Sequence, residues 1–460
     1  MYQIDFKRPE SIHFIGIGGI SMSGLAEILL QEGFRVSGSD AHKTELTERL
    51  EAKGAHIDYG QRASNIRDGI DVVVYTAAIH PDNPELSAAR DKGIPMLTRA
   101  ELLGEMMQNY RHAVNVSGTH GKTTTTSMLT EILLAAKADP TVTVGGILPV
   151  IGGNIRVGGP ELFVTEACEY TNSFLSFFPT MEIILNIEAD HLDFFKDLED
   201  IRCSFRRFAE KLNKEGILII NSDIEDLEEF LEGLCCKVIT FGRQAEKSQY
   251  SAGDLVCDAW ARYSYTLLVD GKPAERISLG AAGEHNVYNS LSAIAAARAL
   301  GISMEAIKEG LQHFQGTNRR FEYKGEVGGV TIIDDYAHHP QEIAATLATA
   351  KNYPHKKLWC VFQPHTYTRT AALLEDFARV LTEADEVILA DIYAAREVNK
   401  LGVSANDIVR KMGEYGKNAY YLPSFDEIET FILENCVPGD LLITMGAGDI
   451  VKVGEKLLGK

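Results

Sequence analysis

Short apolar runs of strand length, each followed by apolar residues at helical spacing, recur along almost the whole chain. Ile12 to Ile17, Val72 to Tyr75, Ala113 to Val116, Leu162 to Thr165, Ile183 to Ile187 and Ile217 to Ile220 are such runs. Val330 to Ile333, Leu358 to Phe362, Val387 to Ala390 and Leu441 to Thr444 repeat the pattern in the last third. Strands that alternate with helices are joined by crossovers, so the pattern predicts an α/β protein with parallel sheets. One stretch departs from it. Residues alternate from Ala261 to Leu279 around Val269-Asp270-Gly271-Lys272, which predicts an antiparallel hairpin within the otherwise parallel series.

A chain of 460 residues is longer than one core usually supports. Polar breaks at Gln108-Asn109-Tyr110, after a helical stretch beginning at Arg99, and at Gly316-Thr317-Asn318, after a helix-like Met304 to Phe314, divide it. Three domains are expected: 1–108, Rossmann-like; 109–317, of P-loop ATPase type, with a parallel sheet plus a small antiparallel part; and 318–460, again Rossmann-like.

Composition narrows the functional classes. Hydrophobic residues make up 45% of the chain and charged residues 24%, which suits a packed globular protein rather than a disordered one. A net charge of -20 argues against nucleic acid or an anionic membrane as partner, because either polyanion would be repelled. The N-terminus, MYQIDFKRPE, has no apolar signal region, and no apolar run reaches membrane-spanning length, so a cytoplasmic protein is expected. Seven cysteines form no CxxC pair, as in a reducing compartment, and most are expected to be buried small hydrophobes without a chemical role. Either a monomer or a homodimer is compatible with these features.

The strongest local signal follows Ala113 to Val116. Ser117 leads into Gly118-Thr119-His120-Gly121-Lys122-Thr123-Thr124, and Met128, Leu129, Ile132 and Leu133 then recur at helical spacing. A glycine-rich turn between strand and helix points N–H groups at an anion, a lysine can reach β/γ-phosphates, and a hydroxyl can bind Mg²⁺. Val116 stands where the strict pattern has its first glycine, so this loop is a shorter relative. The alternative is a structural turn carrying an exposed lysine. Even in the nucleotide reading, Lys122 is expected to face solvent.

An earlier turn, Gly16-Ile17-Gly18-Gly19-Ile20-Ser21, resembles a dinucleotide turn with Ser21 replacing the third glycine, and Asp40 ends the next strand where an acid could bond a ribose. With one ATP site already placed, a sugar nucleotide is favoured over NAD; a purely structural turn is the alternative. Two acidic clusters also follow strands: Glu166-Ala167-Cys168-Glu169 and Glu188-Ala189-Asp190-His191-Leu192-Asp193. Beyond strand ends and beside a phosphate loop, they suit a Mg²⁺-nucleotide site; singly they would read as solvated loops. His285-Asn286-Val287-Tyr288-Asn289 opens an Ala-rich helix, where Asn could serve only as a cap. Arg319 and Arg320 lie at the second break, where a guanidinium could clamp a γ-phosphate or simply form a surface ion pair. Asp334-Asp335-Tyr336-Ala337-His338-His339-Pro340 and Gln363-Pro364-His365-Thr366-Tyr367-Thr368-Arg369 follow strands and read as binding loops.

Taken in order, GIGGISMSG, GTHGKTT, NIEADHLD, GEHNVYN, RRFE, DDYAHHP and PHTYTR resemble the Mur ligases of bacterial cell-wall synthesis. The resemblance spans all three regions. It implies a UDP-sugar in the first domain, ATP and Mg²⁺ in the second and an amino acid in the third. The implied sugar-nucleotide contacts are Gly16, Gly18, Gly19 and Asp40. Gly118 to Thr124, Asn286, Asn289, Arg320 and Asp335 are implied at ATP, with Thr123, Glu166 and His191 on the metal and Tyr336, His338 and Arg369 toward the amino acid. Later ligases of that pathway carry a carbamylated lysine on the helix after the DH motif. This chain has Arg206 and Arg207 in that region instead, which fits the alanine-adding branch.

The chemistry implied is ligation of L-alanine to the carboxylate of UDP-N-acetylmuramate. ATP converts the carboxylate into an acyl phosphate, and the amine then displaces phosphate. Lys122 and Arg320 would neutralise the transferring phosphoryl group. His338 is the candidate base, on the ground that histidine titrates near neutrality. A muropeptide ligase acting on the same sugar nucleotide, and a non-catalytic nucleotide sensor, are the alternatives.

Overall fold

The computed structural model describes residues 2–76, 78–192 and 194–460, and the chain is built on three sheets. The first is five-stranded and all parallel, in the order His56–Tyr59, Arg35–Asp40, Ser11–Ile15, Val72–Tyr75, Met96–Thr98. Its chain order reverses between Ser11–Ile15 and Val72–Tyr75, and a crevice for ligand forms beyond the strand ends at such a switch point.

The second sheet has ten strands. At its centre His112–Ser117 runs parallel to Met181–Ile184 on one side and Leu162–Glu166 on the other. Both edges are antiparallel. The expected hairpin is Arg262–Val269 against Lys272–Ala282, and Asp270 and Gly271 between them both have positive φ, 49° and 71°, as its tight turn requires. At the other edge Thr141–Leu148 pairs with Gly153–Arg156, a second antiparallel piece that the sequence did not announce. The third sheet has six strands, parallel except for Glu322–Val327 against Val330–Asp335, so it is not wholly parallel as expected. Two predicted strands stop short. Ser11–Ile15 ends where Gly16 turns, and Met181–Ile184 ends before Leu185 to Ile187, which carry the chain into the site.

One apolar cluster runs from Ile12 and Phe14 through Met106, Met107 and Tyr110 to Phe163, Phe174, Phe205 and Phe208, so the first two sheets share a core. Gly24, on the helix Ile20–Gln31, is required there: a Cβ would lie 1.5 Å from Ile155 Cδ1 on the second sheet. This docking fixes the first glycine turn relative to the phosphate loop. Truncating any of those phenylalanines to alanine is expected to cost about 3–5 kcal/mol. The cysteines do not follow expectation. All seven are free, but only Cys360 is buried, while Cys168, Cys203, Cys235 and Cys257 are exposed. Cys203 lies on the outer face of the helix Leu198–Ala209, and Cys257 is the exposed last residue of the strand Tyr250–Cys257, so neither position offers a core to enter. Among the described residues, no helix is long and apolar enough to cross a membrane.

Candidate active site

The strand His112–Ser117 delivers the phosphate loop, and the helix Lys122–Ala135 leaves it. Gly121 is the helix's N-cap residue, at φ 87°, and a Cβ there would sit 2.7 Å from Asn289 Oδ1. Among the described residues no side chain caps this helix start, so its N–H groups are open to an anion. Asn186 brackets the loop, accepting the His120 N–H at 2.8 Å and donating to the His120 carbonyl at 3.1 Å.

Lys122 does not face solvent. Its side chain is 16% exposed and folds back over the loop, donating to the carbonyls of Gly118 and Thr119 and to Glu169, whose Oε2 is 3.0 Å away. Burial opposes the lysine charge, but Glu169 outweighs it and holds the pKa above its ordinary value. The turn thus carries a pre-neutralised cation, and its partner lies 47 residues away in sequence.

Thr123 donates to Glu166 at 3.1 Å, and Glu166 also accepts the Gly145 N–H. Burial raises the Glu166 pKa. His191 lies apart from this pair, its Nε2 3.7 Å from Glu169 and 3.8 Å from Asp190, with its ring tilted against that of Tyr170 at 4.6 Å. Asp193 of the same cluster lies outside the described residues. Among the described residues, no three acidic, histidine or cysteine side chains form a ready-made metal cage.

A cavity of about 1940 Å³ opens between the second and third sheets, lined by His120, Gly121, Thr124, Asn286, Asn289, Arg320 and Asp335 among others. Neither asparagine caps its helix, because the N-cap residue is Glu284. Asn286 instead donates to the Ala282 carbonyl at 2.7 Å and accepts from Asn289 at 3.0 Å. The two arginines divide their tasks. Arg319 is committed to structure through Asp334 at 3.0 Å and the carbonyls of Gly446 and Gly448, whereas Arg320 reaches into the cavity. Left-handed backbone flanks Arg320 at Arg319 (φ 61°) and Phe321 (φ 48°), a conformation that costs of order 1–3 kcal/mol per residue. Asp335 offsets it by accepting the N–H groups of Phe321 and Ala337, at 2.9 and 2.7 Å. Burial lifts the Asp335 pKa to about 6, against the pull of Arg320.

The three residues expected at the amino acid lie together at the same seam. Tyr336 has both arginine guanidiniums over its ring, at 4.9 and 5.3 Å, and meets the His338 ring edge-on. Arg369 is already bound to Asp190 of the second sheet's acidic loop, at 3.2 Å. The ground for choosing His338 as base does not hold: burial pushes its pKa down to about 4, even beside Glu342. It is unprotonated at neutral pH and too weak a base to keep a proton taken from an ammonium.

At the first turn, Asp40 accepts the Gly18 N–H at 2.8 Å and the Ala41 N–H, so one of its oxygens already braces the turn. Two residues not anticipated complete the picture. Arg99, partly buried, reaches Ser21 Oγ at 3.2 Å and has no acidic partner among the described residues. Glu342, third residue of the helix Pro340–Lys351, meets His120 at 3.2 Å, His338 at 3.3 Å and Arg320 at 3.8 Å. The spacing of Glu342 after His339 is that of a helix-capping acid, a signal present in the sequence.

Family models place the chain. The Mur ligase family catalytic domain matches residues 11–111, the Mur ligase middle domain 116–297, and the Mur ligase glutamate ligase domain 319–448. This chain belongs to the Mur ligase family. A Mur ligase of Lachnospira eligens named UDP-N-acetylmuramate–L-alanine ligase is 61% identical over 458 residues, covering 100% of both chains. The crystal structure of a UDP-N-acetylmuramate-alanine ligase from Thermotoga maritima is similar at TM-score 0.79 and 30% identity, over 98% of each chain. A murein peptide ligase from Psychrobacter arcticus is similar at TM-score 0.69 and 25% identity, again over 98% of each. In this Mur ligase the helix after the acidic loop, Leu198–Ala209, uses Arg206 to tie down the carbonyls of Phe230 and Glu232. That arginine is engaged in structure.

Proposed function

We propose that this Mur ligase joins L-alanine to the carboxylate of UDP-N-acetylmuramate, with ATP as the source of an acyl-phosphate leaving group, in cytoplasmic peptidoglycan synthesis. The carrying observation is the relative named for that reaction, alike at 61% along the full length of both chains. Residues 1–108 are assigned to the UDP-sugar, 109–317 to ATP and 318–460 to the amino acid, in a monomer or homodimer.

ATP lies in the large cavity in this reading, its phosphates on the Gly118 to Thr124 loop, with Asn286 and Asn289 toward the base and Asp335 toward the ribose. Lys122 and Arg320 neutralise the transferring group from two sides; such preorganised charge is the main source of rate in phosphoryl transfer. Thr123 and Glu166 fit Mg²⁺. Neighbouring ligands of an octahedral ion with bonds of about 2.1 Å lie about 3 Å apart, and their oxygens are 3.1 Å apart. Mg²⁺ keeps waters and phosphate oxygens for its remaining positions, so the lack of a full cage is no obstacle. When bound, it supplies further neutralisation of phosphate charge. His191 would join it by leaving Glu169. Gly16, Gly18, Gly19 and Asp40 hold the sugar nucleotide, and Arg99, a cation without an acid, is added for its pyrophosphate. Tyr336, His338 and Arg369 are assigned to the amine substrate as binding residues.

The test is ATP turnover measured with each substrate withheld in turn, across alanine, glycine, serine and a tripeptide. ADP release needing both UDP-N-acetylmuramate and alanine supports the reading. Preference for the tripeptide would favour a peptide ligase instead, and turnover indifferent to the sugar nucleotide would overturn ligation altogether.

A further inference from the structure

Glu342 is a carboxylate in a cavity built for phosphate. Its side chain is 14% exposed, and it faces three nitrogen-bearing groups: His120 on the phosphate loop, Arg320 at the junction and His338 beside it. Burial works against its charge, but these neighbours hold its pKa well below the usual carboxylate range. His120 is faced in turn by Glu188 at 3.5 Å, by the His339 ring at 4.9 Å and by the charge of Lys122. The contact between His120 and Glu342 spans 222 residues and joins the second sheet's loop to the third sheet's first long helix. The pattern repeats that of Lys122 with Glu169: each cation of the site already has a protein carboxylate where a phosphate would go.

We infer that Glu342 is a positioning residue for the ligation, acting as an exchangeable counter-ion that holds Arg320 and His120 across the seam until a nucleotide phosphate takes them. This rests on the proposed placing of ATP in the cavity. A phosphate carrying more charge than a carboxylate outcompetes it for the guanidinium. Once phosphate leaves, Glu342 recaptures both groups, which keeps the cavity ordered when empty and favours release of ADP. No covalent step is involved.

The consequence has an unusual sign. Glu342→Gln keeps an oxygen for the N–H groups of His338 and His339, which Glu342 accepts at 3.0 and 3.3 Å, so the helix start survives. It removes only the competing charge. ATP and ADP are expected to bind about fivefold more tightly by calorimetry, the effect of one partly screened neighbouring charge, and kcat is expected to fall together with KM for ATP. A merely structural role predicts the reverse, a lower Tm with weaker nucleotide binding. Unchanged or weaker affinity in folded E342Q overturns the inference. Should E342Q melt too low to assay, Glu342→Asp withdraws the charge by one methylene and must still tighten ADP binding; failure to do so overturns it equally. Wild-type protein that binds no ATP would instead sink the placing of the nucleotide.

Discussion

The chain contains two glycine-rich turns of the same local design, strand into helix with an anion expected at the helix start, and they are equipped in opposite ways. At the phosphate loop each nitrogen group meets a carboxylate from elsewhere in the fold: Lys122 meets Glu169, and His120, with Arg320 reaching in from the junction, meets Glu342. The first turn has no cation of its own, spends the acid Asp40 on the Gly18 N–H, and borrows Arg99 from the start of another helix. A site that moves charge needs groups that can exchange partners. A site that only holds a ligand needs fixed donors. The same backbone serves both, and the side chains reaching it from a distance decide which.

Lys122→Met separates the two most sharply. Losing one preorganised charge on the transferring phosphoryl group should lower kcat/KM by about a hundredfold or more, while UDP-N-acetylmuramate affinity measured without ATP stays within error. The variant also leaves Glu169 buried without its cation, which should cost about 3 kcal/mol of stability. Adding Glu169→Gln should restore the melting temperature but not the rate. Recovery of rate in that double variant would assign Lys122 to structure.

Arg99→Met tests the other turn. If its guanidinium serves the pyrophosphate, sugar-nucleotide affinity should fall about thirtyfold, as expected for a charge-assisted contact, with ATP affinity unchanged. Weakened ATP binding instead would place Arg99 in the second site. Asp40→Ala should act in the same direction but less, about fivefold, because a neutral backbone donor and one ribose contact are lost rather than an ion pair. An equal loss of ATP affinity would break the separation between the turns.

The difference between the turns also measures what the sequence could convey. Strands, the 269–272 hairpin turn and both glycine turns were legible because each is written in contiguous residues whose spacing is the signal. Strand ends were less so: Ile17 and Leu185 to Ile187 stay apolar after the ladder has stopped, and hydrophobicity does not record where pairing ends. The hairpin Thr141–Leu148 with Gly153–Arg156 is not legible, because Gly145-Gly146 and Gly152-Gly153 break the alternation that marks a strand. Pairing was not legible at all. Nothing near Lys122 says that Glu169 rather than solvent receives it, and Glu342 reads locally as a helix cap although it also bridges two sheets. Burial is likewise invisible locally, so the sequence alone points to His338 as a base.

His338 gives the smallest expected effect. With burial pushing its pKa down to about 4, the imidazole is neutral near pH 7, so an acid limb of the pH–rate profile above pH 6 is expected to come from another group. A histidine shifted downward is charged in the unfolded chain and neutral in the folded one between about pH 4 and its ordinary 6.5. The unfolded state binds the extra proton there, so this residue's contribution to stability falls as pH drops through that window. His338→Gln keeps a polar group of similar size without the titration. It should leave the position of the acid limb unchanged, raise KM for alanine by a fewfold at most, and flatten the loss of stability between pH 6.5 and 4. An acid limb that disappears in His338→Gln would return the residue to the role of base and require its imidazole to be far better solvated than its surroundings allow.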